Sequence, residues 1–536
     1  MKLTQLKNTV IFLGIALIVA LSGCGGGGGG SSPLVRPALP TPPPSSGPTW
    51  QAGVYQPSSV FAARCKTPRS GNDPFTGAPF PDIASTALSE KLWLRSWTDE
   101  TYLWFDEVPD NNPNNFITAA YFAQLKTDAL TASGKPKDNF HFSQPTNEYN
   151  ERTQSGTSSE YGLAWEFVSN RSPRELTVRY TEPNSPAGQT AIMRGANLQK
   201  IDNIDFINTT DLNEIDAINA ALFPSVAGTT HRFEFLTADG ETISTELTSA
   251  VIELSPVQNV QVLDTAAGRI GYLQFNSFIT PSQADLIEAF QTFVDNTATE
   301  VILDLRYNGG GSLALSAQLA YMIAGPNQTN NRIFEDLVNN RKRQAPAPIP
   351  FYNRVIDYVN GVFTDIRLPS PELTRVFILS SENTCSASES LINGLRGIDV
   401  DVVLIGDTTC GKPFGFTPED NCGTTYFIIQ LQGINDKGFG DFSDGFSPVA
   451  SPIFDDQILG CRVADDFNNA LGSPNEALLE TALYFVENDR CPEEVIAPLS
   501  IARPVYDPDS PAIKTPNRYL DAIINDDRSA ISKDVN

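Results

Sequence analysis

Val301-Ile302-Leu303-Asp304-Leu305-Arg306-Tyr307-Asn308-Gly309-Gly310-Gly311-Ser312 runs from an apolar stretch into a glycine loop, and then into the helical pattern of Leu313 to Met322. An uninterrupted apolar stretch of this length predicts a strand buried on both faces, as in a sheet covered by helices on each side. Glycine lets backbone approach a ligand closely, and the amides at a helix start attract an anion, so the loop can hold a phosphate or an oxyanion. It lacks the Lys-Ser/Thr ending of a nucleotide-binding loop, which argues against a nucleotide.

Working outward, the same alternation continues on both sides. Arg269 to Phe275 reads as a strand, and Thr280-Pro281 with Gln283 reads as an N-cap, a first-position proline and a capping box. The helix that follows should bury Leu286, Ile287, Ala289, Phe290, Phe293 and Val294. Arg375 to Leu379 and Val402 to Ile405 are further strands, so the region from about Val257 to Arg490 is expected to be an α/β domain. Two more junctions carry chemistry. Thr384-Cys385-Ser386-Ala387-Ser388-Glu389 leads from a strand into a helix through Leu391, Ile392 and Leu395. A serine there is expected to be exposed at the positive end of the helix dipole, and the structural alternative is a cluster of N-cap serines. Gly406-Asp407-Thr408-Thr409-Cys410-Gly411-Lys412 follows the Val402 to Ile405 strand. With Phe414 and Phe416 near, Lys412 can lose its proton by desolvation and act as a base; the structural alternative is a surface charge.

Before this region the character differs. Between Ser158 and Leu254 short β-like runs recur at 162–165, 176–178, 232–235 and 244–247, separated by Gly, Pro and Asn. From Trp50 to Thr153 the pattern is partly helical, with Trp93, Trp97 and Trp104 among Leu92, Leu94, Tyr102 and Leu103, and a second helix expected from Tyr121 to Leu130.

The chain has 536 residues, 37 basic against 63 acidic, for a net charge of −26. That balance excludes most nucleic-acid partners, whose phosphates need Lys and Arg. Two histidines, His141 and His231, make a multi-histidine metal site improbable, and no metal or other cofactor is expected. Lys2 and Lys7, the apolar run Val10 to Leu21 and Leu21-Ser22-Gly23-Cys24 read as a signal peptide. Leu-Ser-Gly-Cys resembles the bacterial lipobox, which implies cleavage before Cys24, lipidation of its sulfur, and a protein held on a cell-envelope membrane facing the periplasm or exterior. A Gly/Ser/Pro-rich tether follows. Apart from Cys24 six cysteines remain, an even number that favours disulfides in an exported protein without choosing their pairing.

Together, Asp304-Leu305-Arg306 with Asn308, Gly310 and Gly311, then Ser386-Ala387-Ser388-Glu389, then Gly406 with Thr409, Gly411 and Lys412 resemble the C-terminal processing, or tail-specific, protease family of Ser-Lys peptidases. Ser185-Pro186-Ala187 and Met193-Arg194-Gly195 to Asp202 resemble a bacterial protease-type PDZ domain, in which Ser-Pro-Ala opens a helix. The resemblance implies an α/β multidomain protein with a small N-terminal helical domain, a PDZ-like β-rich domain and a ClpP/crotonase-like α/β protease domain. The expected divisions are a signal peptide at 1–23, the tether at 24–49, the helical domain at 50–157, the PDZ-like domain at 158–255, the protease domain at 256–495 and a tail at 496–536. It further implies Ser386 as nucleophile, Lys412 as general base, and amides of Ala387, Gly310 and Gly311 as an oxyanion hole. Tyr161, Gly162, Leu163 and Ala164 would catch the terminal carboxylate of a protein or peptide substrate added as an edge strand. Two departures stand out. Phe416 occupies the position where many relatives carry a glutamine that orients the lysine, and the Ser386 to Lys412 spacing is one residue longer than usual. Cys385 and Cys410, flanking the dyad, are candidates to pair. The competing reading is a catalytically silent, peptide-binding scaffold; a β-lactamase-like enzyme is disfavoured because no Ser-x-x-Lys occurs.

Overall fold

Strands Val257–Thr265, Gly268–Phe275, Glu300–Asp304, Arg375–Ser380, Asp401–Gly406, Gln457–Arg462 and Ser447–Val449 lie in that spatial order in one seven-stranded sheet. The first pair is antiparallel, and every later pairing is parallel. The structure is a computed structural model and describes residues 47–131, 133–224, 226–493, 507 and 510–515. The expected signal peptide, Cys24, most of the tether and most of the 496–536 tail lie outside the described residues.

The apolar runs behave as two-sided burial requires. Val301, Leu303, Val376, Ile378, Val402 and Leu404 pack on one face with helices Ser282–Asp295, Leu313–Thr329 and Ala387–Gly397. Ile302, Phe377, Leu379, Val403 and Ile405 face the other way onto Leu478, Leu479, Ala482 and Phe485 of helix Ala477–Asn488. Because the parallel strands end together, the loops after Asp304, Ser380 and Gly406 emerge side by side at the carboxyl edge of the sheet, the usual place for a site in such sheets.

A second sheet orders Thr242–Thr248, Thr230–Leu236, Asn197–Ile201, Glu175–Thr181 and Leu163–Ser169, with helix Leu212–Leu222 sharing its core through Ile215, Ile218 and Leu222. Upstream, helix Ala87–Thr101 buries Leu92, Trp93, Leu94 and Trp97. This upstream segment is stitched to residues beyond Lys412. Phe142–Pro145 pairs with Thr424–Phe427, Cys65 bonds Cys422, and Trp93, Tyr102, Phe140 and Phe142 share a core with Phe414, Phe416 and Phe427.

Three local expectations are corrected. The helix after Thr280 begins at Ser282, without a side-chain cap. Ser282 Oγ donates to carbonyls of Ser277 and Ile279, which holds 277–281 as a turn, and Gln283 turns away to bond Ile356. Ser185-Pro186-Ala187 opens turns instead of a helix, because Ser185 Oγ donates to the Glu182 carbonyl and accepts the Gly188 amide. The second upstream helix is only Thr118–Phe122; Thr127 Oγ1 donates to Glu107 at 2.6 Å as the chain leaves the helical path.

Candidate active site

Ser386 is the N-cap of Ala387–Gly397 and has φ 62 and ψ −114, a conformation that L residues rarely adopt. Such strain persists only where the surroundings over-determine it, and it is characteristic of functional turns. Its amide donates to Glu389 Oε2 at 3.0 Å, while its Oγ is buried and has no hydrogen-bond partner among the described residues.

The glycine loop closes against this turn. A Cβ on Gly310, whose φ is 113, would stand 2.8 Å from Ser386 Cβ and 3.0 Å from the Ala387 amide nitrogen, so only glycine fits. Asn308 holds the two segments together. Its carbonyl accepts the Cys385 amide and Ser388 Oγ, its Nδ2 donates to the Phe275 carbonyl, and its Oδ1 accepts the Gly310 amide at 2.9 Å. Ser386 is therefore fully buried, which corrects the expectation of an exposed serine; the close-fitting Gly310 loop is the reason.

Lys412 enters from the third loop and is also fully buried. Its Nζ lies 3.8 Å from the centroid of Phe416 and 5.2 Å from that of Phe140. Burial pushes its ammonium well below the ordinary value of 10.5, against the opposing pull of Asp138 and Glu389. Glu389 ties this loop to the serine turn: Oε1 accepts Thr409 Oγ1 at 2.6 Å and the Gly411 amide at 2.8 Å, and Oε2 accepts the Lys412 amide at 2.8 Å alongside that of Ser386. The Cys385–Cys410 disulfide forms a second tie, so these two candidates do pair. Cys65–Cys422 and Cys461–Cys491 complete the disulfides among the described residues. Beside Thr409, Cys410 and Gly411 a cavity of about 390 Å³ opens, with Phe140, Lys137 and Arg462 also on its wall.

The histidines serve elsewhere. His141 sends Nε2 to the Phe122 carbonyl at 2.9 Å, and burial lowers its pKa to about 4; His231 pairs with Asp202. Tyr161 is buried, and Gly162 turns with φ 82 into Leu163–Ser169, which ends the strand order of its sheet. The sequence motifs include Glu389 and Asn308 but assign a role to neither, although the Ser-x-x-Glu spacing at Ser386 to Glu389 is the signal of a capping box. Sequence reasoning missed Asp138 and Phe140, for which no local pattern exists.

All three loops fall inside residues 269–420, which match the sequence profile of peptidase family S41. The chain carries a peptidase S41 domain. A carboxyl-terminal-processing protease of Picosynechococcus is 25% identical over 335 residues, covering 60% of this chain and 73% of that protein. The chloroplastic carboxyl-terminal-processing peptidase 2 of Arabidopsis thaliana is 27% identical over 163 residues, 30% of each chain. The crystal structure of an S41 protease from Bacteroides fragilis superimposes with a TM-score of 0.55 at 21% identity, covering 76% of this chain and 98% of that one, a likeness of fold. The S41 domain and this homology support a serine-type peptidase, whose substrate is a protein or peptide.

Proposed function

We propose that the chain is a cell-envelope endopeptidase, lipid-anchored at Cys24, that cuts proteins or peptides through an acyl-enzyme on Ser386 with Lys412 as base. The observation that carries this reading is the fixed placement of a strained serine and a desolvated lysine by one carboxylate, Glu389, and one disulfide.

Ser386 Oγ attacks the scissile carbonyl as its proton passes to Lys412 Nζ, and the carbonyl oxygen gains the negative charge. The Ala387 amide, at the positive end of Ala387–Gly397, and the Gly310–Gly311 loop are the donors for that oxyanion. In the resting arrangement the Gly310 amide is bonded to Asn308 Oδ1, so its use requires that bond to open. Collapse of the intermediate releases the amine, which takes the proton from Lys412; water, deprotonated by Lys412, then frees the acyl group. Burial is what makes the lysine competent, since at its usual pKa only about 1 in 2,500 molecules would be neutral at pH 7.

The PDZ-like sheet would present substrates by their C-termini. Leu163–Ser169 at the end of its sheet leaves a ladder position for an added strand, and the Tyr161 to Ala164 turn supplies amides for a carboxylate. The silent-scaffold reading is favoured by one observation, the complete burial of both Ser386 and Lys412.

Cleavage of an unfolded protein or a tailed peptide, compared among wild type, Ser386→Ala and Lys412→Ala, decides between them. Undiminished cleavage by both variants rejects the dyad, and no cleavage by any form favours the scaffold.

A further inference from the structure

We infer that Asp138, carried upstream of the S41 domain, is the residue that positions Lys412 and supports its charge, in the role that a polar side chain at position 416 would otherwise fill. The inference rests on the Ser386–Lys412 dyad proposed above.

Phe416 places a ring, with no hydrogen-bonding group, 3.8 Å from Lys412 Nζ. The ring of Phe140 lies 5.2 Å from the same Nζ, and the amide of that same residue donates to Asp138 Oδ1 at 2.9 Å. Asp138 is 1% exposed. Its Oδ2 accepts the Tyr102 hydroxyl at 2.6 Å, and because the Thr127 amide donates to that hydroxyl oxygen, the tyrosine proton is directed at the carboxylate. Both oxygens of Asp138 therefore act as acceptors. Among the described residues, the other ionisable groups around it include His141, whose Nδ1 stands 3.9 Å away, Lys126, whose Nζ bonds the Asp138 carbonyl, Glu107, beyond Tyr102, and Glu389, which faces Lys412 from its own helix.

The two carboxylates near Lys412 differ in what they already hold. Glu389 accepts four donors from the serine and lysine loops, which disperses its charge. Asp138 accepts two, and among the charges acting on Lys412 its pull is the larger. When the Ser386 proton arrives on Nζ, an ammonium forms in a buried site, close to the rings of Phe416 and Phe140. A fixed anion acting on it within a buried site stabilises the transition state far more than it would in water. Burial makes the lysine a free base at working pH; Asp138 makes it a base that accepts a proton when required. The upstream segment, which the S41 profile does not include, is on this view part of the catalytic machinery.

The test is the pH dependence of kcat/KM for peptide cleavage by the full chain, for wild type, Ser386→Ala, Asp138→Asn, Asp138→Glu and Tyr102→Phe. The acid limb reports deprotonation of Lys412. Asp138→Asn is expected to move that limb to lower pH by about one unit while the plateau falls about 10-fold, and Asp138→Glu to restore most of both. Tyr102→Phe, which keeps the carboxylate but removes the hydroxyl sharing its charge, is expected to move the limb to higher pH, and decides alone if Asp138→Asn does not fold. A plateau that falls with the limb unmoved is the behaviour of a structural residue and overturns the inference. Cleavage surviving in Ser386→Ala overturns the dyad itself, and is read without any Asp138 variant.

Discussion

Replacing Lys412 with methionine keeps a long, flexible side chain beside Phe140 and Phe416 and removes the titrating group. In the unfolded chain the lysine binds a proton up to its ordinary value of 10.5, and in the fold burial holds its pKa well below that. Between the two values unfolding takes up one proton. The wild-type protein therefore loses stability as pH falls through this window, by about 1.4 kcal/mol for each pH unit, and Lys412→Met does not. Above 10.5 both states are neutral at this site and the difference is constant. Below the folded value both are protonated and it is constant again. The assay is urea unfolding of both proteins across the alkaline range, plotted as the difference in unfolding free energy against pH. From pH 9 to 10 that difference should change by about 1.2 kcal/mol in the direction of a relatively more stable wild type at pH 10, the slope already easing as pH nears 10.5. The pH at which the line flattens on its acid side reads the folded pKa directly. Parallel curves through the whole range would mean that Lys412 keeps its proton in the fold as it does in the unfolded chain, and would refute desolvation as the reason it is a free base at working pH.

Gly310→Ala places a methyl group 2.8 Å from Ser386 Cβ at a φ of 113, so peptide cleavage should fall on the order of 100-fold by displacement of the nucleophile, with about 2 kcal/mol lost in urea unfolding. The double variant Cys385→Ser, Cys410→Ser opens a loop of 25 residues and should lower stability by about 3.5 kcal/mol, read from the urea midpoint. Arg306 is buried among Asp304, Asp465 and Glu476; Asp465 keeps its pairing with Arg194, so Arg306→Met leaves the buried Asp304 and Glu476 without a cation and should cost about 3–5 kcal/mol in the same measurement.

The elements legible in the sequence are those whose signal is local. Val301 to Leu303, Arg375 to Leu379 and Val402 to Ile405 are apolar on every residue or nearly so because both faces of their sheet are covered, and they form strands as expected. The three loops that carry the chemistry follow those strands, so their convergence at one edge follows from parallel pairing. Local reading failed where a side chain competed with the backbone. Ser282 and Ser185 bond nearby carbonyls and turn expected helix starts into turns. Cys385 and Cys410, beside Ser386 and Lys412, are candidates to pair from the sequence and do pair, whereas the other two disulfides join positions whose proximity nothing local announces.

By itself, then, the sequence determined which residue types stand at the carboxyl edge of the sheet: a serine at a helix start, a lysine beyond a buried strand, and a glycine where nothing larger fits. These depend on neighbours within a few positions, through apolar periodicity, capping and backbone freedom. Only the tertiary structure decided what surrounds Lys412. Its protonation depends on the dielectric and charges on every side of the amine, and Phe140 and Asp138, which supply one of those sides, arrive from a segment far upstream held in place by the Phe142–Pro145 pairing and the Cys65–Cys422 bond.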